Sequence, residues 1–272
     1  MGRGLQIRIH GVAGQPTLVY LPGLHGDWHL TQGFRDALGG RVRWVEFTYP
    51  GDGNVSLEDQ GMAIADQLEG AGIRDGWILG ESFGSQIAWR FLRRSVEQGT
   101  FTVRGLFLVG GFVRYPWRLG VRLARPIVRH LPGWILGITL RVYLLGIRGM
   151  GRRSPQVRRS LEDFIERRLE PSDRAALLHR LDLILGSDPR DIARATRVPV
   201  WSLMGFWDPI VPWIPVRRWL RRECPGWRGD RVIWGADHAP LVSAPERSAE
   251  VILGWMEEGR AHRAGSAEGL RR

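Results

Sequence analysis

Short apolar runs alternate along this chain with stretches of helical periodicity, and the alternation limits the folds that the chain can adopt. Each run has the length of a buried β-strand, and the stretches that separate the second, third, fourth and fifth runs have room for a helix. Strands that alternate with helices usually form a mostly parallel sheet. The apolar runs lie at residues 5–10, 17–21, 42–47, 77–79, 103–109, 198–204 and 231–234. The pattern therefore predicts an α/β fold, with a central sheet flanked by helices.

The alternation stops between the fifth and the sixth run. The sequence of this interval is typical of helices, and the interval is too long for a plain loop. We therefore predict a helical cap inserted at residues 112–196. The core is then made of two parts, at 1–111 and 197–260, and residues 261–272 are predicted to form a flexible tail.

Prolines should divide the first part of this cap. Pro116, Pro126 and Pro132 each interrupt a helical pattern, which predicts several short helices there. Longer helices are predicted at 158–168 and 172–184.

The fourth apolar run is followed directly by Gly80-Glu81-Ser82-Phe83-Gly84 and then by a helical stretch. In this strand-to-helix context, two glycines permit a tight turn that lifts the Ser82 hydroxyl above the sheet. The positive end of the helix dipole then favours an oxyanion near that hydroxyl. Because the chain contains 36 glycines, the five residues alone are weak evidence, and an accidental glycine turn would give the same letters.

A serine hydroxyl needs a base to become a nucleophile, and the base needs an orienting acid. Asp208 lies just after the sixth apolar run, and His238 just after the seventh. Ser82, Asp208 and His238 are therefore predicted to meet at the carboxyl ends of three strands, where open α/β sheets bind ligands. Asp237 is the less favoured alternative for the acid, because adjacent side chains usually point apart. Taken singly, a solvated aspartate and a surface histidine are the simpler interpretations.

A glycine-rich turn follows the second apolar run, as Pro22-Gly23-Leu24-His25-Gly26. Such a turn can aim a backbone N–H at the same point as the N–H that follows the nucleophile. The sequence therefore indicates the N–H groups of Leu24 and Phe83 as an oxyanion hole. An ordinary proline-glycine turn is the alternative.

With these motifs the sequence resembles the α/β-hydrolase family, in the esterase- and lipase-like branch of serine hydrolases that carries a helical cap. The motifs that carry the resemblance are PGLHG at 22–26, GESFG at 80–84, GFWDPIVP at 205–212 and GADHAPLVSAPE at 235–246. The resemblance implies Ser82 as nucleophile, His238 as base and Asp208 as its partner, with Leu24 and Phe83 as oxyanion hole. A serine at position 82 disfavours the dehalogenase and epoxide-hydrolase branches. The chain departs from many relatives by having Pro22-Gly23 where they have His-Gly.

The expected reaction is hydrolysis of a carboxylic ester, or of a related acyl compound, through an acyl-enzyme on Ser82. An acyltransferase would use the same acyl-enzyme, and a non-catalytic binding protein on this scaffold is a further alternative. Apolar residues of the cap predict an apolar acyl group; they include Trp134, Ile135, Leu136, Ile138, Leu140, Tyr143, Leu144 and Leu145. No cofactor and no metal are expected, because the sequence has neither a dinucleotide fingerprint nor a clustered set of His and Cys ligands.

Four further residues beside the motifs are predicted to contact the substrate, namely His25, Trp28, Glu81 and Trp207. His25 and His29 lie beside the oxyanion turn, and each could equally be exposed. Trp77 and Trp234 are predicted to pack in the core.

The charge of the chain is strongly positive and unevenly spread. All 39 basic residues are arginine, and the formal net charge is +11. Residues 112–160 contain eleven arginines and no acidic residue. Arg118, Arg122, Arg125 and Arg129 recur at helical spacing, which indicates a peripheral contact between the cap and an anionic membrane surface; a solvated helix face is the simpler alternative. Nucleic-acid binding is not expected, because no recognised module accompanies the charge.

The remaining composition predicts a cytoplasmic protein. The longest apolar run without charge spans residues 130–140, whereas a membrane-spanning helix needs about 20 residues. The N-terminal residues lack the apolar core of a signal peptide. The single cysteine, Cys224, cannot form an intramolecular disulfide, so nothing indicates an oxidising compartment.

Overall fold

A computed structural model of the chain describes residues 4–50, 55–130 and 171–269. Seven strands form one sheet in the order β1-β3-β2-β4-β5-β6-β7. β1 pairs with β3 in antiparallel fashion, and every other pair is parallel. The strands are β1 (Gln6–His10), β2 (Thr17–Leu21), β3 (Arg43–Thr48), β4 (Asp75–Glu81), β5 (Thr102–Val109), β6 (Val200–Gly205) and β7 (Trp227–Ile233). The predicted α/β fold with a mostly parallel sheet is confirmed.

Helices cover both faces of this sheet. Counting only those in the described residues, they are α1 (Gln32–Ala37), α2 (Leu57–Gly70), α3 (Gly84–Gln98), α4 (Arg118–His130), α5 (Pro171–Gly186), α6 (Arg190–Ala195), α7 (Trp213–Glu223), α8 (Pro240–Ser243) and α9 (Pro245–Gly269). α2, α3, α6 and α7 contribute to one buried layer, and α1 and α9 to the other. The central strands are therefore buried on both faces, which explains why they appear in the sequence as continuous apolar runs.

β2 illustrates how one strand serves both layers. Val19 and Leu21 belong to the layer of α2 and α3, whereas Leu18 and Tyr20 belong to the layer of α1 and α9. All four side chains are buried. Successive side chains of a strand point to opposite faces, so alternate residues of one run build the two halves of the core.

The edge strand β7 begins earlier than its apolar run indicates. The run at 231–234 is apolar, but β7 starts at Trp227 and ends at Ile233. Most residues of β7 are partly or fully exposed because the strand lies at the edge of the sheet. A strand with so few buried side chains leaves only a weak apolar pattern in the sequence.

The described part of residues 112–196 contains only helices, and it lies between β5 and β6. The predicted helix at 172–184 is α5. The predicted break at Pro126 is wrong, because α4 continues through that residue. A proline removes one helical hydrogen bond, but packing of α4 on α5 holds the helix on both sides of it. The predicted helix at 158–168, Pro132 and the cap residues from 134 to 145 lie outside the described residues.

Two further expectations differ from the structure. The tail predicted to be flexible continues α9 as far as Gly269, because its alanine, glutamate and arginine residues favour a helix. Trp77 is buried as predicted, with its ring parallel to that of Phe107 at 5.3 Å. Trp234, by contrast, is 65% exposed, since it follows the last residue of β7 and stacks on Phe206 instead of entering the core.

None of the helices within the three described segments is both long enough and apolar enough to cross a bilayer.

Candidate active site

Ser82 lies in a strained turn between β4 and α3. Its φ is +48°, and it is the one non-glycine residue with positive φ in the described part of the chain. Side chains rarely adopt this conformation, so the surrounding structure must hold it. Gly84 allows the close approach that does so: a Cβ at Gly84 would lie 2.1 Å from the Leu21 carbonyl oxygen. The start of α3 therefore packs directly on the backbone at the end of β2, and Ser82 is lifted above the sheet.

The structure brings Ser82, His238 and Asp208 together, as the sequence predicts. His238 Nε2 lies 2.8 Å from Ser82 Oγ, and His238 Nδ1 lies 2.7 Å from Asp208 Oδ2. Because a carboxylate only accepts hydrogen bonds, Nδ1 donates to Asp208 and Nε2 is left to accept from the serine hydroxyl.

Asp208 is itself held by the backbone of its loop. Its Oδ1 accepts hydrogen bonds from the N–H groups of Ile210 and Val211, each at 2.8 Å. Its side chain is almost completely buried. The carboxylate therefore presents its other oxygen to His238 in a fixed position.

Opposing effects set the pKa of the His238 imidazole. Burial alone lowers this pKa, because it disfavours the charged form. The hydrogen bond to Asp208 and its negative charge, with smaller effects of Glu81 and Asp237, outweigh burial and raise the pKa above its ordinary value. The imidazolium that forms when His238 takes a proton is thus stabilised.

The turn predicted to supply the oxyanion hole lies against the nucleophile. A Cβ at Gly23 would lie 3.4 Å from Ser82 Cβ. The N–H groups of Leu24 and Phe83 donate to no protein acceptor among the described residues. Neither N–H is therefore occupied by a protein acceptor in the described residues, which leaves both free to serve the oxyanion hole that the sequence predicts.

Hydrogen bonds from outside the turn hold its backbone in place. Tyr49 donates twice, from its hydroxyl to the Pro22 carbonyl at 3.0 Å and from its N–H to the Gly26 carbonyl at 2.8 Å. Arg180 of α5 donates from Nη1 to the Leu24 carbonyl at 2.9 Å. The position of the Leu24 carbonyl thus depends on a donor from α5, one of the helices between β5 and β6.

Arg180 is a residue that the sequence did not indicate. It is only 5% exposed, and its Nη2 also donates to the Pro50 carbonyl at 3.3 Å. Burial of an arginine is unusual unless its donors are satisfied. One arginine among 39 carries no signal in the sequence, because its partners are main-chain carbonyls more than a hundred residues away.

Glu81 is predicted to contact the substrate, but in the structure its side chain is turned into the protein. Its carboxylate is buried and accepts a hydrogen bond from the Tyr20 hydroxyl, and His25 Nε2 lies 3.9 Å from Glu81 Oε2. Burial and the charge of Glu81 raise the pKa of Tyr20 well above its ordinary value, so Tyr20 stays a neutral donor. Glu81, Tyr20 and His25 therefore form a polar cluster beneath the turn.

The two predicted tryptophan contacts differ from each other. Trp28 is 6% exposed, and the guanidinium of Arg8 lies 4.2 Å from its ring centre. It therefore packs toward the edge strand β1 and presents no open face to a substrate. Trp207 is 61% exposed and directly precedes Asp208, so it does lie beside the triad. His29 is partly buried and pairs within its own loop, with Nδ1 3.2 Å from Asp27 Oδ1.

The chain is similar to known proteins over most of its length. Residues 18–251 match the family model described as the alpha/beta hydrolase family. No curated protein matches the chain significantly. Many solved structures share its fold. A carboxylesterase structure from Nitrososphaera gargenis is 15% identical, with a TM-score of 0.73 and coverage of 95% of this chain and 96% of that one.

Two esterase structures are similar to this chain to about the same degree. A thermophilic esterase from Thermogutta terrifontis is 20% identical, with a TM-score of 0.70 and coverage of 94% of this chain and 93% of that one. An esterase from Exiguobacterium antarcticum is 16% identical, with a TM-score of 0.72 and coverage of 93% and 95%. At these identities the similarity concerns the fold.

We expect replacement of Asp208 to lower the pKa of His238. In Asp208→Asn the charge is lost while burial remains, and burial alone lowers this pKa. Titration of the imidazole by NMR in the folded protein measures the change. Asp237→Asn is the matched control, because Asp237 contributes least among the causes, so its effect should be smaller. A larger fall in Asp237→Asn than in Asp208→Asn would show that the acid has been misassigned.

We expect Arg180→Gln to slow the reaction of Ser82 with a fluorophosphonate by roughly 10- to 100-fold, because a displaced Leu24 N–H stabilises the oxyanion less. Arg180→Lys keeps a cationic donor and should recover part of the rate. Arg194→Gln, which removes an ion pair to Glu223 at 3.0 Å, is the control and should react at the normal rate. Thermal unfolding of each variant is measured in parallel. An unchanged rate in folded Arg180→Gln would exclude this positioning role.

Proposed function

Because this chain belongs to the α/β-hydrolase family, we propose that it is a serine hydrolase that cleaves carboxylic esters with an apolar acyl group. One observation carries the proposal: a continuous line of hydrogen bonds runs from Ser82 Oγ through the His238 imidazole to the buried Asp208 carboxylate. This is the arrangement that activates a serine hydroxyl for acyl transfer. Esterases among the solved structures with this fold support the choice of substrate class.

Acylation begins when Ser82 Oγ attacks the ester carbonyl carbon. His238 Nε2 takes the hydroxyl proton as the new C–O bond forms, and the carbonyl electron pair moves to the oxygen. The N–H groups of Leu24 and Phe83 donate to that oxyanion. When the oxyanion collapses, the alcohol leaves with the proton from His238, and the acyl group stays on Ser82.

Deacylation repeats these steps with water. His238 takes a proton from a water molecule, whose oxygen attacks the acyl carbon. The second oxyanion collapses, the carboxylic acid leaves, and the proton of His238 returns to Ser82 Oγ. Asp208 accepts the hydrogen bond from His238 Nδ1 and stabilises the imidazolium in both halves of the reaction.

Apolar groups beside the triad support an apolar acyl group. Trp207 and Ile210 flank Asp208 in the chain, and both side chains are exposed. Tyr115 is close to the same loop, since its hydroxyl donates to the Ile210 carbonyl at 2.5 Å. A hydrocarbon chain of the substrate would remove part of this surface from water.

The proposal includes a cytoplasmic location, which Cys224 supports. The chain has no second cysteine for an intramolecular disulfide. Burial raises the pKa of the Cys224 thiol to about 11, so at neutral pH it is a protonated and weakly reactive packing residue.

A fluorophosphonate should label Ser82 and no other serine, because activation requires both the base and the oxyanion donors. Mass spectrometry of the labelled peptide identifies the site. Ser82→Ala should abolish labelling and ester hydrolysis, and Asp208→Asn and His238→Ala should lower kcat by roughly 10³- to 10⁶-fold. Ser95→Ala is a matched control, because Ser95 is a buried serine of the same helix that lies near its far end and donates to the Phe91 carbonyl. Full esterase activity in Ser82→Ala would refute the proposal, and an absence of labelling in the native protein would favour a binding protein.

The rate should rise with the length of a linear acyl chain. Each buried CH₂ contributes about 0.8 kcal/mol, so kcat/KM should increase roughly threefold to fourfold per methylene until the pocket is full. A series of p-nitrophenyl esters from acetyl to octanoyl measures this. Repeating the series with an added alcohol shows how much acyl group is transferred to alcohol instead of water. A flat series, or a preference for charged acids, would contradict the apolar acyl site.

A further inference from the structure

The outer face of α4 is apolar, although it is turned toward solvent. Leu119, Leu123 and Ile127 follow one another at four-residue spacing and are 61%, 61% and 59% exposed. Residues at this spacing form one stripe along a helix. Val121, which is buried, lies on the opposite side. The face that should be polar on a solvent-exposed helix is therefore the apolar one.

Contacts with α5 fix α4 in this orientation. Arg125 pairs with Asp182 through two contacts, Nε to Oδ1 at 2.5 Å and Nη2 to Oδ2 at 2.8 Å. Arg118 donates to the Leu185 carbonyl. Both contacts lie on the side of Val121, so the apolar stripe cannot turn inward without breaking them.

A row of arginines runs along one edge of the stripe. At 100° per residue, Arg118, Arg122, Arg125 and Arg129 fall within about 60° of the helix circumference, as the sequence predicts. Arg122 and Arg129 are exposed. No acidic residue lies between residues 112 and 130, so their charge is not neutralised within this segment.

A groove lies between this surface and the Asp208 loop. A groove of about 480 Å³ lies at the start of α4, between Tyr115–Leu119 and residues 215–219 of α7. Trp117, on one side of it, and Ile214, next to the other side, are exposed. Tyr115 links the groove to the Asp208 loop through Ile210. Arg114, Arg118 and Arg190 also line the groove, so apolar and basic side chains together lie between the stripe on α4 and the Asp208 loop.

We propose that this surface docks on an anionic phospholipid bilayer. We define the docking face by Trp117, Leu119, Leu123 and Ile127, which insert among the acyl chains, and by Arg122 and Arg129, which contact lipid phosphates. A helix with an apolar face bordered by arginines binds in this way at the membrane interface. A second copy of the chain fits less well, because it would bring two arginine rows of the same sign together. The bilayer supplies both an apolar interior and the negative charge that this face lacks.

Binding is tested without relying on catalysis. The full chain carrying Ser82→Ala is sedimented with vesicles of phosphatidylcholine, with and without phosphatidylserine, at low salt and at about 0.5 M salt. The Ser82→Ala change prevents lipid cleavage, so vesicle binding can fail or succeed independently of the proposed hydrolase activity. We expect binding to the phosphatidylserine vesicles at low salt, strong weakening at high salt, and weak binding to phosphatidylcholine alone.

Variants of the docking face test the contributions of its arginines and of its apolar side chains separately. Because each arginine near an anionic membrane contributes about 1 kcal/mol, Arg122→Gln with Arg129→Gln should lower the partition coefficient about 30-fold, and Arg129→Gln alone about fivefold. Leu119→Ser combined with Leu123→Ser and Ile127→Ser should lower the partition coefficient roughly tenfold or more, since the inserted apolar area is lost. Circular dichroism and thermal unfolding check each variant, and the single Arg129→Gln change serves if a multiple variant does not fold.

The matched control removes the same charge from the far side of the molecule. Arg41 and Arg74 are exposed and precede β3 and β4, at the amino ends of the strands and away from the triad. Arg41→Gln with Arg74→Gln should bind almost as well as the parent. An equal loss of vesicle binding in this control would show that only the net charge matters, and would overturn the proposed docking face. So would no binding at low salt, or equal binding to both kinds of vesicle.

Discussion

The packing of Gly84 on the end of β2 is the contact on which the candidate site depends. A side chain at this position would overlap the carbonyl oxygens of Leu21 and Pro22, so α3 could not begin where it does. Because α3 begins there, Ser82 is held at a φ of +48° with its hydroxyl above the sheet. The same contact brings the turn after β2 against the nucleophile, and so places the Leu24 and Phe83 N–H groups beside it. One close approach of two backbones thus positions both Ser82 and the turn that contains Leu24.

The base and its acid reach Ser82 from the other half of the sheet. Parallel strands end at the same edge, so the loops after β6 and β7 open toward the turn after β4. Asp208 is held by two backbone N–H groups, and His238 is held by Asp208. Every polar atom in this line has a partner, which keeps a buried and charged arrangement stable. The raised pKa of His238 follows from the same geometry.

The inserted helices act on this site in two separate ways. On the inner side, Arg180 of α5 donates to the Leu24 carbonyl and so joins the insertion to the oxyanion turn. On the outer side, α4 presents an apolar stripe and arginines to solvent. Both roles depend on how α4 and α5 pack on each other, through Val121 and the pair of Arg125 with Asp182. The helices between β5 and β6 therefore contact the turn after β2 on one side and solvent on the other.

The amino-acid sequence alone was sufficient to predict the parallel sheet and its interruption by helices. It also predicted that Ser82, Asp208 and His238 meet, because each of these features depends on a short local pattern. A buried strand needs an apolar run, and a nucleophile turn needs glycines on both sides of its serine. Local patterns could not reveal that Arg180 is buried on Leu24, that Glu81 is turned inward to Tyr20, or that Trp28 packs under Arg8. They also suggested a buried Trp234 and a break at Pro126, and both suggestions were wrong. Burial and hydrogen bonding of a side chain depend on segments that are distant in the chain, and only the folded structure brings these segments together.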